Sequence, residues 1–282
     1  MQSPKRNLLC LFSTAPILLL ICCLGIDSVH ARCSRLIQVP LAAYSYTVIV
    51  KENQFSGILP DVLSGLEAKS RCRFSYTLVP KNRQEILFEK GKSDLLVNAV
   101  KTARRDSFGV FFPFVQLRAV AISLEGQLPP LHNAKDIIAR SEIKLVIVRA
   151  YDYGPAYQAI VDDMSKLGRV VVEPDPISVA KLIRANPKYI TIMAPTIFSG
   201  IVQSEPVLES LNGKIRFDKL DELQWTDSGV YISKVSLSPS DQIYLKAQFE
   251  KYANTDSIWK AYLNYYPPEV IKMGIRPRDT GH

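Results

Sequence analysis

Short apolar runs alternate with amphipathic stretches along most of the chain, the order expected of strands and helices taking turns. Residues 36–39 form a first apolar run and residues 47–50 a second, separated by a loop that carries Tyr44 and Tyr46. At Gly57 the period changes. Val62, Leu63 and Leu66 fall on one side of a helix that opens with Pro60 and Asp61, residues suited to a helix N-terminus. Residues 74–79 read as the next strand. In residues 82–114, Ile86 and Leu87 supply the apolar face of a short helix, and Gly91 suits the left-handed backbone at its end. Residues 95–97 are a run for a strand covered on both faces. Thr102 then caps a further helix with Arg105 one turn in, and the segment leaves through Phe111, Phe112, Pro113 and Phe114.

The second half continues the alternation. Residues 115–124 read as one long strand, 127–133 as a proline-bearing loop and 136–139 as a short helix. A buried strand at 144–148 delivers a turn, Arg149 to Pro155, and then a helix to residue 167. A strand at 169–173, a helix at 177–186 and a strand at 189–194 follow. Residues 208–223 are amphipathic and polar, and 229–235 read as a strand. Ser238-Pro239-Ser240-Asp241 starts a helix to residue 254, a second helix spans 257–265, and Pro267-Pro268 stop it. Residues 276–282 read as a mobile tail. The ends of such strands, where a glycine-bearing turn opens a helix, are where open α/β sheets take ligands.

The N-terminus departs from this pattern. Lys5 and Arg6 precede an apolar run clearest at 17–24, then Val29-His30-Ala31. This is a secretory signal peptide with cleavage after Ala31. Ser13, Thr14 and Pro16 interrupt the run, which argues against a membrane span. Removing Lys5, Arg6 and Asp27 takes the net charge from +8 to +7. The basic residues form no dominant cluster, and secretion argues against a nucleic-acid partner. Of five cysteines, Cys10, Cys22 and Cys23 lie in the leader. Cys33 and Cys72 each precede a strand. If those strands are parallel neighbours, about 4.8 Å apart, the two thiols are within disulfide reach in an oxidising compartment; the alternative is two buried thiols. His132 and His282 sit in no metal-ligand pattern, so no metal or cofactor is expected. There is no Walker loop, nucleophile elbow or zinc motif, which argues against Ser-His and Cys-His catalysis.

Gly91-x-x-Asp94, a strand, Thr102-x-x-Arg105 and an aromatic exit, in that order, resemble the bacterial extracellular solute-binding proteins of family 3, the periplasmic partners of amino-acid uptake systems. Gly57 and Asp61 also match a Gly-Phe-x-x-Asp element, with Ile58 in place of Phe. The resemblance implies an α/β, two-lobed periplasmic-binding-protein-like fold of type II, each lobe a mostly parallel sheet flanked by helices, joined by two crossing strands. Lobe one would hold residues 32–120 and 228–282, and lobe two residues 121–227. Ligand would bind in the cleft. Arg105, with Thr102 and nearby N–H groups, would grip an anionic group, Asn98 would add a hydrogen bond, and Tyr44 and Tyr46 would stack on the ligand. Arg83 is a second lobe-one candidate. Tyr151, Asp152, Tyr153 and Gly154 would close from lobe two.

Two departures narrow the ligand. Residues 188–195 contain no acid where members place an Asp for the α-ammonium group, and Val100 stands where a Ser or Thr is common. The implied role is a monomeric periplasmic protein that captures a small carboxylate-bearing or amino-acid-like solute for an ABC-type permease. The alternatives are a periplasmic enzyme on the same scaffold, similar to cyclohexadienyl dehydratase, and a sensory module that presents its closed state to a membrane receptor.

Overall fold

A five-stranded sheet, a four-stranded sheet and two strand pairs, with helices packed on them, account for the chain in the computed structural model, which describes residues 33–253 and 257–278. The expected leader, residues 1–31, lies outside the described residues. The first lobe starts with β1 (Ile37–Leu41), a β2–β3 hairpin (Ile49–Lys51 and Gln54–Ser56), α1 (Ile58–Ser70) and β4 (Phe74–Leu78). Then come α2 (Lys81–Glu89), β5 (Leu95–Val100), α3 (Ala103–Asp106) and β6 (Gly109–Leu117). The second lobe holds β7 (Val120–Leu124), α4 (Ala134–Ala139), β8 (Lys144–Val148), α5 (Pro155–Lys166), β9 (Val170–Glu173), α6 (Pro176–Ala185), β10 (Tyr189–Met193), α7 (Pro195–Ser204), a 3-10 turn (Pro206–Leu211) and β11 (Ile215–Asp218). The chain returns through β12 (Thr226–Ser233), α8 (Pro239–Ala253), α9 (Ser257–Tyr265), α10 (Pro268–Gly274) and β13 (Ile275–Pro277).

Neither lobe is built on one mostly parallel sheet: the five-stranded sheet is mixed and the four-stranded sheet antiparallel. In lobe two the order is β11-β7-β10-β8-β9; β8 runs parallel to both neighbours, and β7 antiparallel to both of its own. In lobe one β13-β6-β12-β5 is antiparallel throughout, and β1-β4 is a parallel pair. The reason is topological. The chain leaves lobe one along β6 and re-enters along β12, so the two strands lie side by side and run in opposite directions.

Burial follows the apolar pattern. On α1, Val62, Leu63 and Leu66 are buried with Ile58 and Leu59 against Ile37, Val39 and Leu41 of β1. In lobe two, separate clusters cover the two faces of the sheet, one around Leu145 and Tyr157, the other around Val146 and Phe198. Cys33 and Cys72 form a disulfide across 39 residues, an arrangement that the parallel pairing of Ile37 with Phe74 permits.

Four sequence expectations need correction. The strand expected at 115–124 is two strands, broken at Arg118 and Ala119, where the Arg118 N–H donates to the Gly274 carbonyl at 2.9 Å. The polar stretch 208–223 contains an edge strand, β11, whose Phe217 pairs with Ile122. The tail is ordered at its start: Arg276 and Pro277 belong to β13 and pair with Gln116 and Val115. On α2 the buried residues are Gln84, Glu85 and Phe88, whereas Ile86 is 38% exposed. Polar partners override the apolar count there, because Gln84 donates to the Pro40 carbonyl at 2.6 Å and Glu85 holds an arginine.

The third strand beside the crossing gives it a clasp. The guanidinium groups of Arg118 and Arg276 both pack on the Trp225 ring, at 4.5 and 4.7 Å from its centroid. Arg276 also donates to Gln116, which in turn donates to Asp227 on the returning strand.

Asp94 ties the first strand to the return of β12. Its carboxylate accepts two bonds from Arg35 at 2.6 and 2.7 Å, one from the Gln38 N–H at 2.7 Å and one from the Ser236 hydroxyl at 2.7 Å. Burial alone would push the Asp94 carboxyl up, but these hydrogen bonds outweigh it and hold the group below the usual carboxylate range. A depressed carboxyl stabilises the fold above its unfolded value of about 3.9, and that contribution disappears as pH falls through the folded value. Asp94→Asn is therefore expected to unfold at a lower temperature than the parent at pH 7, with the gap narrowing as the pH is taken below 4. Thermal unfolding at pH 7 and pH 3 checks this; a constant gap would contradict it.

Candidate functional site

The site begins with an irregularity in β5. The pairing with β12 shifts between Gly229 and Val230, which face Ala99 and Val97 and leave Asn98 as the extra residue. Asn98 has φ 52°, a left-handed backbone rare in a strand. Such a bulge re-aims a side chain and marks many functional sites. The facing position must be glycine, since a Cβ on Gly229 would sit 2.0 Å from the Phe112 carbonyl oxygen.

The bulge also turns two carbonyls toward α2. Lys81, the first residue of that helix, donates its ammonium to the Val97 and Asn98 carbonyls at 3.3 and 3.4 Å. Burial pulls the Lys81 ammonium down to about 8, with the Arg105 charge adding to the effect and Glu85 opposing it.

Arg105 is held inside lobe one. Its Nε and Nη2 donate to the two Glu85 oxygens at 3.2 and 2.7 Å, and Nη1 donates to the Val100 carbonyl at 2.9 Å. The residue is only 7% exposed. Thr102 caps α3, as its position suggested, by accepting from the Arg105 N–H at 3.3 Å. The Thr102 N–H itself donates to the Tyr231 hydroxyl at 3.0 Å. Two of the N–H groups at this helix start, those of Thr102 and Arg105, are thus engaged within the protein.

From lobe two, β8 delivers the expected turn. Ala150 adopts φ 65° and Gly154 φ 94°. Asp152 accepts from the Gly154 N–H at 2.8 Å, which fixes the entry into α5. Tyr153 accepts from the Ala194 N–H at 3.3 Å and packs edge-on against Tyr157. Tyr151 faces lobe one, its ring centroid 5.4 Å from that of Tyr44. Burial pushes the hydroxyls of Tyr44, Tyr151 and Tyr153 well above the ordinary tyrosine range, so all three are neutral donors.

Between these groups lies a cavity of about 50 Å³, lined by Lys81, Asn98, Arg105 and Ser228 from lobe one and by Tyr151, Asp152 and Tyr153 from lobe two, with Tyr44 above. An outer compartment of about 470 Å³ shares Arg105, Ala150, Tyr151 and Asp152 with it and adds Thr102, Arg104 and Arg149. Six of the sequence candidates line the inner cavity: Arg105, Asn98, Tyr44, Tyr151, Asp152 and Tyr153. Thr102 lines only the outer compartment. Tyr46 lies elsewhere, packed against Tyr265 and Tyr266 in the lobe-one core. Arg83 is exposed on α2 and lines neither compartment, and Gly154 shapes the turn without lining either.

Sequence reading missed Lys81, Thr47, Ser228 and Thr196. Lys81 follows Pro80 at a strand-to-helix junction, a position that points to the ligand end of an α/β sheet and was open to being read. Thr196 carried no signal, because the helix that bears it, α7, was not anticipated.

No protein-family model matches the chain, and no curated protein does. Solved structures match over most of its length. An ancestral arginine-binding protein bound to arginine superposes with a TM-score of 0.65 at 12% identity, covering 84% of this chain and all 100% of that one. The chain carries the type II periplasmic-binding-protein fold. The amino acid ABC transporter substrate-binding protein AbpA from Streptococcus pneumoniae, bound to L-arginine, gives a TM-score of 0.64 at 14% identity, covering 82% of this chain and 94% of its own. The arginine-, lysine-, histidine-binding protein ArtJ from Geobacillus stearothermophilus gives 0.64 at 12% identity, with 86% and 99% covered. This is the fold that the motif from Gly91 to Arg105 implies. In it the cavity described above falls in the cleft between the lobes.

Proposed function

We propose that the protein is a secreted solute-binding protein that encloses one small carboxylate-bearing or amino-acid-like molecule between its lobes and delivers it to an ABC-type uptake system. The observation that carries this reading is the contact of Tyr44 with Tyr151 across the cleft, over a cavity whose walls come from both lobes. A site divided in this way gains contacts only when the lobes meet, so a ligand that touches both favours closure. The aromatic walls supply apolar area, and the few polar groups set orientation. The neighbours of known ligand bear amino acids, which supports a solute of that size. Among the described residues no cluster suited to a metal ion occurs.

The test is a thermal-shift screen of the purified protein against amino acids, mono- and dicarboxylates, polyamines and sugars. A true ligand at 100 times its dissociation constant adds about 2.7 kcal/mol, which raises the midpoint by about 5–10 °C for a chain of this size. Tyr151→Ala is expected to weaken that ligand without a comparable loss of stability. A hit that Tyr151→Ala binds as tightly as the parent would move the site out of the cleft.

A further inference from the structure

Arg105 lies where a ligand anchor is expected, but it already has a carboxylate. Glu85 takes two of its nitrogens and the Val100 carbonyl the third, inside a shell where the Glu85 side chain is 11% and the Arg105 side chain 8% exposed. The pair is charge-neutral, and removing one member would strand the other. Lys81 differs in each respect. It lines the same cavity, donates only to two main-chain carbonyls at 3.3 and 3.4 Å, and forms no ion pair with an Asp or Glu among the described residues. Those two bonds leave the third N–H of its ammonium for another partner. The Asn98 bulge positions both the carbonyls that hold Lys81 and the Asn98 side chain beside it. A partly buried cation held only by neutral acceptors, with no carboxylate in direct contact and a cavity beside it, favours an anion there.

Resting on the solute-binding reading above, we infer that the solute's carboxylate is held by Lys81 and the Asn98 side chain at the β5 bulge, with Arg105 locked to Glu85 as part of the wall. The count of charges selects the class. Lys81 from lobe one and Asp152 from lobe two both line the cavity, and neither forms an ion pair among the described residues. A single negative charge balances Lys81, whereas a phosphate ester or a dicarboxylate places a second one near Asp152. The body of the solute lies against Tyr44 and Tyr151. The solute is therefore a monocarboxylate, with or without an amino group.

The experiment is calorimetric titration of the full protein and of Lys81→Met with benzoate, 4-hydroxybenzoate, L-phenylalanine, L-glutamine, succinate and glucose 6-phosphate. The expected result is that a monocarboxylate of this panel binds the parent and binds Lys81→Met about 10-fold or more weakly, as the loss of a charge-assisted bond requires. Lys81→Arg is expected to keep the affinity within about fivefold, because the charge remains. A monocarboxylate that binds Lys81→Met within twofold of the parent overturns the assignment to Lys81 and leaves the solute-binding reading standing. Preference for glucose 6-phosphate or succinate overturns the monocarboxylate class. Silence of the parent toward the whole panel overturns the inference, and the broader screen then decides the solute-binding reading separately. Should Lys81→Met fail to fold, Lys81→Gln is titrated in its place, and a monocarboxylate that it binds within twofold of the parent overturns the assignment.

Discussion

Replacing Glu85 by alanine is expected to cost about 3–5 kcal/mol, the usual result of leaving one member of a buried pair without its partner. Arg105 would lose two of its three hydrogen bonds at a site where it is only 7% exposed. At this chain length the loss lowers the unfolding midpoint by about 6–20 °C. The double variant Glu85→Ala with Arg105→Met removes both charges and is expected to recover part of the loss, so the two changes are far from additive. Thermal unfolding of the three variants measures this directly. The outcome also bears on function. A Glu85→Ala protein as stable as the parent, and tighter for carboxylates, would show that Arg105 is free to serve ligand and that Glu85 only competes for it.

The second large effect belongs to the disulfide. Cys33 and Cys72 are separated by 39 residues, and they join the start of β1 to the start of β4 beneath α1. On the chain-entropy model, closing a loop of that length removes unfolded-state freedom worth about 4 kcal/mol. Cys33→Ala with Cys72→Ala is therefore expected to lower the midpoint by about 8–16 °C, and reduction of the parent with dithiothreitol to do the same. The site itself lies at the opposite ends of these strands, so ligand affinity measured well below the new midpoint should change little. A midpoint that reduction does not move would show that the bridge contributes nothing to the folded state.

The parts of this fold that were legible in sequence share one property: local chemistry decided them. Gly57 and Gly154, both with left-handed backbone, open the helices that sequence placed after them. Thr102 caps α3 because its side chain reaches an N–H three residues on. The cysteines bridge because their strands are neighbours in parallel. What was not legible depended on partners distant in sequence. β11 is a polar edge strand whose identity comes from pairing with β7. β13 ends the described chain, and only its ladder with β6 distinguishes it from a loose tail. The strand through residues 115–124 breaks because the Arg118 N–H is taken by Gly274.

The same division runs through the site. Asn98 at a strand end, Tyr151, Asp152 and Tyr153 on a turn, and Tyr44, which the family resemblance implies, meet in one cavity. Tyr46 was not separable from Tyr44 by sequence, since both flank one loop, and only the fold shows that Tyr46 packs on Tyr265 and Tyr266. The role of Arg105 turned on Glu85, 20 positions earlier and on a different helix. An arginine's position in a motif tells where its fork lies; the acid that reaches it first decides what the fork holds.

Native mass spectrometry of the purified protein mixed with a pooled panel of amino acids, small carboxylates, polyamines and sugars shows whether the cleft encloses one solute. A single adduct of one small carboxylate per chain is expected, lost in Tyr151→Ala. Several adducts of unrelated chemistry, none of them weakened in Tyr151→Ala, would contradict a ligand enclosed between the lobes.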